Sequence, residues 1–107
     1  KLVALSAGAY TINLTTITGT NGVTQDMTGL KVHLFRVKNL GAATMTFTVG
    51  ASNGYNLSGA GFSIALEQNQ VFQLFGNDAT PDVAAGDCTI DVAGTGTQTF
   101  ELTIIAG

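Results

Sequence analysis

Hydrophobic and polar residues alternate with a period of two along most of the chain. Between residues 30 and 34, Leu and Val alternate with Lys31 and His33, and between residues 45 and 49, Met, Phe and Val alternate with Thr. A period of two is typical of a β-strand with one buried and one solvated face. The two runs flank an Asn-Leu-Gly connection at 39–41. Together they predict a β-hairpin.

The same alternation predicts the remaining strands, and no segment has the spacing of a helix. Short strands separated by Gly-rich and Asn-rich turns are typical of a two-sheet antiparallel β-sandwich. We therefore predict an all-β fold of about eight strands, forming one domain over residues 1–107 and resembling a jelly roll. Strand order cannot be read from spacing, so an Ig-like Greek key stays open. The predicted strands are 2–5, 10–18, 30–38, 45–49, 62–66, 71–75, 88–92 and 100–104.

Local sequence adds finer predictions. The adjacent apolar residues Leu34 and Phe35 predict a β-bulge, and Asn21-Gly22 predicts a tight turn within a loop at 19–29. The run 71–75 is apolar on both faces, which predicts a central strand or one covered on both sides. The apolar residues in phase with their strands predict the core. They are Phe47, Ile64, Leu74, Ile90, Phe100 and Leu102.

The composition narrows the classes of partner. Charged residues make up 10% of the chain, the net charge is −3, and Lys and Arg together number four. Nucleic-acid binding needs several cations on one face, and a membrane span needs an apolar run of about 20 residues, so we expect neither partner. So few charges suggest a surface that is covered in the working state. We therefore expect a homo-oligomer, such as a trimer, or docking on another protein.

Residues suited to catalysis are few. His33 is the lone histidine, and no G-x-S-x-G nucleophile motif is present. Cys88 is in phase with Ile90 and Val92, which indicates a small buried residue rather than a reactive thiol. We therefore expect no enzymatic activity and no cofactor.

Four carboxylates lie in one third of the chain, at Asp78, Asp82, Asp87 and Asp91. Their spacing does not match the EF-hand loop, which alternates ligands around a required glycine. We interpret them as turn and strand-surface residues and predict no metal site. Whether Asp78, Asp82 and Asp87 bind calcium stays open.

One strand carries most of the positive charge. Lys31, Arg36 and Lys38 are three of the four cations, and His33 lies among them. These residues either protect an edge strand from unwanted pairing or form a docking surface for an acidic protein. Tyr55, in a Gly/Asn-rich loop, either joins that contact surface or folds over a sheet edge.

The second half of the chain resembles small all-β head auxiliary proteins of tailed bacteriophages. The segments that carry the resemblance are VKNLGAATMTFTVG at 37–50, NQVFQLFG at 69–76 and GDCTIDVAGTGTQTFELTIIAG at 86–107. The resemblance implies a non-enzymatic decoration or cement protein that coats and stabilises a capsid, located in the virion. It transfers no catalytic residue. The alternative is an extracellular carbohydrate-binding or adhesin module, from a secreted or tail-associated protein, with a groove centred on Tyr55.

Overall fold

The described part of the chain consists of β-strands and the connections between them. The computed structural model describes residues 2–19, 22–50, 54–56, 61–76 and 80–107. These residues form no helix, and so none that could span a membrane. The strands are β1 (Leu2–Ala4), β2 (Ala9–Asn13), β3 (Ile17–Thr18), β4 (Thr24–Gln25), β5 (Val32–Asn39), β6 (Met45–Val49), β7 (Phe62–Leu66), β8 (Val71–Phe75), β9 (Thr89–Ala93) and β10 (Thr99–Ala106).

Eight of these strands form a two-sheet sandwich with jelly-roll strand order. The first sheet has the order β1-β10-β5-β8 and the second has the order β2-β9-β6-β7, with antiparallel pairing throughout. The short strands β3 and β4 pair with each other outside the two main sheets. Two interleaved four-stranded sheets are the jelly-roll arrangement, whereas Ig-like domains group their strands differently. The predicted sandwich is confirmed, and the Ig-like alternative is wrong.

The predicted hairpin over residues 30–49 is wrong, because β5 and β6 lie in different sheets. The reason is the side chain of Asn39, which is fully buried at the corner between them. Its amide nitrogen donates to the carbonyls of Ala43 and Leu66 at 2.9 and 2.8 Å, and its oxygen accepts from the Gly41 N–H at 2.8 Å. The amide of Gln98 donates to the same oxygen at 3.0 Å. All the hydrogen-bonding capacity of Asn39 is thus used to turn the chain from one sheet to the other.

The second predicted strand is interrupted after Asn13. The Asn13 side-chain oxygen accepts hydrogen bonds from the Thr15 backbone N–H at 2.9 Å and its hydroxyl at 2.7 Å. This is an Asx turn, and it separates β2 from β3. The predicted turn lies between β3 and β4: Gly22 has a φ of +79° and its N–H donates to the Gly19 carbonyl at 3.0 Å. Its neighbour Asn21 lies outside the described residues.

Most of the predicted core is confirmed. Ile64 and Leu74 are the exceptions, because they are only half-buried. Both belong to strands at the edge of a sheet, where an inward-facing side chain has a neighbouring strand on one side only. The predicted core residues that are buried are Phe47, Ile90, Phe100 and Leu102.

The strand predicted to be central or covered, β8, lies at an edge, and the cationic strand β5 lies in the interior of its sheet. The doubly apolar strand β8 is an edge strand, and its outer residues Val71 and Phe75 are 44% and 68% exposed. The cationic strand β5 lies between β10 and β8. Protection of an edge is therefore the wrong interpretation of its positive charges.

A β-bulge lies in β5, just before the predicted position. Two consecutive residues of β10 pair with Val32 and Leu34, so His33 between them is the extra residue. The bulge changes the phase of the strand, which lets both Val32 and Phe35 face the core. It also leaves His33 exposed, as the sequence predicts.

Candidate protein-docking surface

The outer face of the first sheet presents side chains in rows, which follow from the strand register. Three strands, β10, β5 and β8, contribute to every row, and β1 adds to the last. We call this surface the outer face. Its rows are Ile105–Leu34–Phe75, Thr103–Arg36–Gln73 and Leu2–Glu101–Lys38–Val71.

The first of these rows is entirely apolar. Ile105 is 55% exposed and Phe75 is 68% exposed, and half-buried Leu34 lies between them in register. Single exposed apolar residues are ordinary, but a contiguous apolar patch marks a contact surface. Covering the exposed parts of Ile105 and Phe75 would contribute about 3 kcal/mol to binding, before the cost of association.

Two cations lie on the same face as the apolar row, Arg36 in the adjacent row and Lys38 in the row after it. Arg36 and Lys38 are two residues apart on β5, so their side chains share the outer face. Glu101 lies in register with Lys38, whereas the neighbours of Arg36 in its row are uncharged. The rows thus hold two cations and one carboxylate, in a chain whose net charge is −3. This arrangement is complementary to an acidic protein surface.

The other two basic candidates are placed differently. The Lys31 ammonium lies 2.9 Å from a carboxylate oxygen of Asp82 and donates to the Thr80 carbonyl at 2.7 Å. Lys31 is thus engaged within the molecule. His33 is exposed at the bulge, where its Nε2 lies 3.1 Å from the Gly107 carbonyl oxygen. Lys31 therefore differs from Arg36 and Lys38, which lie on the outer face.

Tyr55 is part of the core rather than of any contact surface. Its side chain is fully buried, and its hydroxyl donates to the Pro81 carbonyl at 2.6 Å and accepts from the Val32 N–H at 3.2 Å. Removal from water raises the pKa of the Tyr55 phenol, and the Val32 hydrogen bond partly opposes this. Tyr55 therefore packs against the rest of the protein, and the prediction that it joins the contact surface is wrong.

The outer face of the second sheet has a different character. Its side chains are small or hydroxylated, and one of them, Asp91, is charged. No large apolar side chain occurs in its two full rows. These rows are Thr11–Asp91–Thr48–Ser63 and Ala9–Ala93–Thr46–Ala65. The two faces of the sandwich are thus chemically distinct, and only the first combines apolar area with positive charge.

The carboxylates do not converge in the part of the chain that the structure describes. Asp82 pairs with Lys31, Asp87 lies in an exposed turn and Asp91 lies on the second sheet. No three His, Cys, Asp or Glu side chains among these residues form a group suited to a metal ion. Asp78 lies outside the described residues.

Cys88 is buried, as its phase predicts. Its thiol lies 3.5 Å from the Ala85 carbonyl oxygen. A thiol removed from solvent in this way behaves as a small apolar residue of the core.

Comparison of the chain with protein-family models, curated proteins and solved structures gives no match. Of the basic residues that the sequence suggests, Arg36 and Lys38 belong to the outer face. Its apolar row depends on strand register, a signal that the linear sequence does not contain.

Proposed function

We propose that this protein is a non-enzymatic structural subunit that docks on an acidic protein surface through the outer face of its first sheet. The observation that carries the proposal is the apolar row Ile105–Leu34–Phe75 on the same face as Arg36 and Lys38. The setting that fits best is a bacteriophage head, where the protein acts as a decoration or cement subunit. In that role it coats the shell and stabilises it.

The two parts of the face have different roles in this proposal. Ile105 and Phe75 lose water on docking and supply affinity, as apolar anchors commonly do in interfaces. Arg36 and Lys38 steer the approach to an acidic surface and fix its orientation. Affinity then depends mainly on the apolar row, and the association rate and its salt dependence depend mainly on the cations.

The resemblance to phage head proteins supports the same setting. Its three segments, 37–50, 69–76 and 86–107, contribute Lys38, Phe75 and Ile105 respectively. The segments that resemble head auxiliary proteins therefore include residues from β5, β8 and β10, the three strands that build the outer face. A jelly roll occurs in many functional classes, so the fold alone does not decide the matter.

The carbohydrate-binding alternative depends on a groove centred on Tyr55. It requires an accessible aromatic platform, and Tyr55 is buried and hydrogen-bonded. No observation favours it over docking on a protein.

The proposal is tested by binding to purified phage heads that lack the protein. The variant R36Q/K38Q removes both cations of the outer face. The control A9E/T46E alters the second sheet, and each pair of changes lowers the net charge from −3 to −5. Binding is measured by co-sedimentation at low and moderate salt, after circular dichroism has established that each variant is folded.

We expect R36Q/K38Q to reduce head occupancy at low salt and to lose most of the salt dependence, whereas A9E/T46E retains both. A gene next to that of the shell protein would support the same conclusion. Equal occupancy for the two folded variants would contradict the assignment of the face. Failure of the unmodified protein to bind heads would contradict the virion role.

A further inference from the structure

The edge strands of both sheets lack the charged residues and prolines that commonly prevent pairing. The edge strands are β1 and β8 in the first sheet and β2 and β7 in the second. Their sequences are LVA, VFQLF, AYTIN and FSIAL, with no charged residue and no proline. Natural proteins commonly place Lys or Pro on an exposed edge to prevent association. Here the strand cations Arg36 and Lys38 lie instead on an interior strand.

The side of the sandwich formed by β7 and β8 is the more open of the two. On the opposite side, inward-facing Val3 and Ile12 are 6% and 1% exposed, and Tyr10 is half-buried. On the β7/β8 side, Leu66 is buried, but the other four inward-facing apolar residues are only partly buried, although two of their rings meet across the sheets at 5.8 Å. These half-buried residues are Phe62, Ile64, Phe72 and Leu74.

Within the part of the chain that the structure describes, the outer edge of β8 presents backbone groups without a partner strand, in a regular array. The Asn39 N–H donates to the Gln70 carbonyl and the Gly76 N–H donates to the His33 carbonyl, so the even-numbered residues of this segment face β5. Backbone groups alternate in direction along an antiparallel strand. The residues whose N–H and C=O groups point away from β5 are therefore Val71, Gln73 and Phe75. Among the described residues, no strand lies on that side of β8.

We propose that a second copy of this chain occupies this edge, with β8 pairing antiparallel to the partner's β8 across a two-fold axis at Gln73. In this register Val71 lies opposite the partner's Phe75, and Gln73 lies opposite the partner's Gln73. Each side chain then meets one of like chemistry, apolar against apolar and amide against amide. The absence of charge from β8 means that no like charges are brought together on this strand.

The pairing joins the first sheets of two copies into one continuous sheet. Its three residue pairs exchange about six backbone hydrogen bonds, two for each pair. A two-fold contact of this kind is closed, so it gives a dimer rather than the trimer suggested by the sequence. The inference concerns the edge of the sheet rather than its outer face, and it holds whether or not the protein docks on a phage head.

The substitution Q73K tests the contact, with T103K as its control. Gln73 and Thr103 both lie in register with Arg36 on the outer face, so each substitution creates the same cross-strand neighbour. They differ in that β8 is an edge strand and β10 is not. Sedimentation equilibrium of the full chain should show a dimer whose dissociation constant rises at least about tenfold at low salt with Q73K, and stays unchanged with T103K.

The charge-reversed variant Q73E provides a second and more specific test. It should also weaken the dimer, because two carboxylates then meet at the axis. The Q73E chain should still fold, because Glu at position 73 lies in register with Arg36 and attracts it. An equimolar mixture of the Q73K and Q73E chains should form a dimer again, because opposite charges now face each other. Only a contact that places position 73 opposite its own copy predicts this recovery.

Three outcomes would overturn the proposal. The unmodified chain could remain monomeric at about 1 mM, which would leave the edge unused or free for a different strand. Its dimer could be weakened no more by Q73K than by T103K, which would place the contact on another surface. The mixture of folded Q73K and Q73E chains could fail to associate, which would exclude the two-fold register.

Discussion

Removal of the Tyr55 hydroxyl is the sharpest test of the packing. The change Y55F deletes one oxygen atom and keeps the buried ring. That oxygen joins two distant parts of the chain, because it donates to the Pro81 carbonyl at 2.6 Å and accepts from the Val32 N–H at 3.2 Å. Val32 begins β5, and both Val32 and Tyr55 are almost inaccessible to water. The variant therefore leaves a buried N–H with no acceptor.

The magnitude follows from the two hydrogen bonds. A typical hydrogen bond contributes about 1 kcal/mol net, and an unsatisfied buried donor costs about 1–3 kcal/mol. Pro81 is half-buried, so its carbonyl can recover part of its loss from water. We expect Y55F to lower the free energy of unfolding by about 2–3 kcal/mol. For a domain of this size, that corresponds to a fall in Tm of roughly 10–15 °C.

The assay is urea unfolding at pH 7, followed by circular dichroism, with Y10F as the matched control. Tyr10 is half-buried and packs edge-on against Phe100 at 6.1 Å, and no described residue hydrogen-bonds to its hydroxyl. Y10F should change stability by less than about 0.5 kcal/mol. A Y55F protein as stable as Y10F would refute the structural role assigned to the Tyr55 hydroxyl.

Two further predictions concern the core. L102A should cost about 2–5 kcal/mol in urea unfolding, because Leu102 is 4% exposed on an interior strand, and a cost well under about 1 kcal/mol would contradict that position. Stability should fall as pH rises through 10, because burial raises the pKa of Tyr55 above its ordinary 10.0, so the unfolded chain loses that proton first. This part of the alkaline loss should be absent from Y55F, and equal pH dependence in the two proteins would contradict the shift.

The sequence predicts the fold class well because alternation is a local signal. The alternation within each strand indicates which of its two faces is buried, and eight such strands suffice to indicate a sandwich. Which strands become neighbours depends on long-range contacts. Asn39 directs the chain from one sheet to the other through hydrogen bonds with Leu66 and Gln98, and neither partner is near it in sequence. A short Asn/Gly connection therefore predicts a hairpin that the folded chain does not form.

The outer face also depends on long-range contacts that the sequence does not indicate. Arg36 and Lys38 share a face because they are two residues apart, which the sequence shows directly. Ile105 and Phe75 come together only through the register of three strands. The apolar outer residues of β8, Val71 and Phe75, predict a covered strand, but they are exposed, and β8 is an edge strand among the described residues. Tyr55 is buried by contacts with Pro81 and Val32 that no local pattern indicates.

The most direct test of docking through the outer face is hydroxyl-radical footprinting of the protein, free and bound to purified phage heads. Ile105 and Val23 form a matched pair, because both are aliphatic and they are 55% and 56% exposed. Ile105 lies on the outer face, whereas Val23 lies beside the β3–β4 pair. Docking through the outer face predicts that binding strongly reduces oxidation of Ile105 and leaves Val23 unchanged. Equal oxidation of Ile105 in free and bound protein would contradict it.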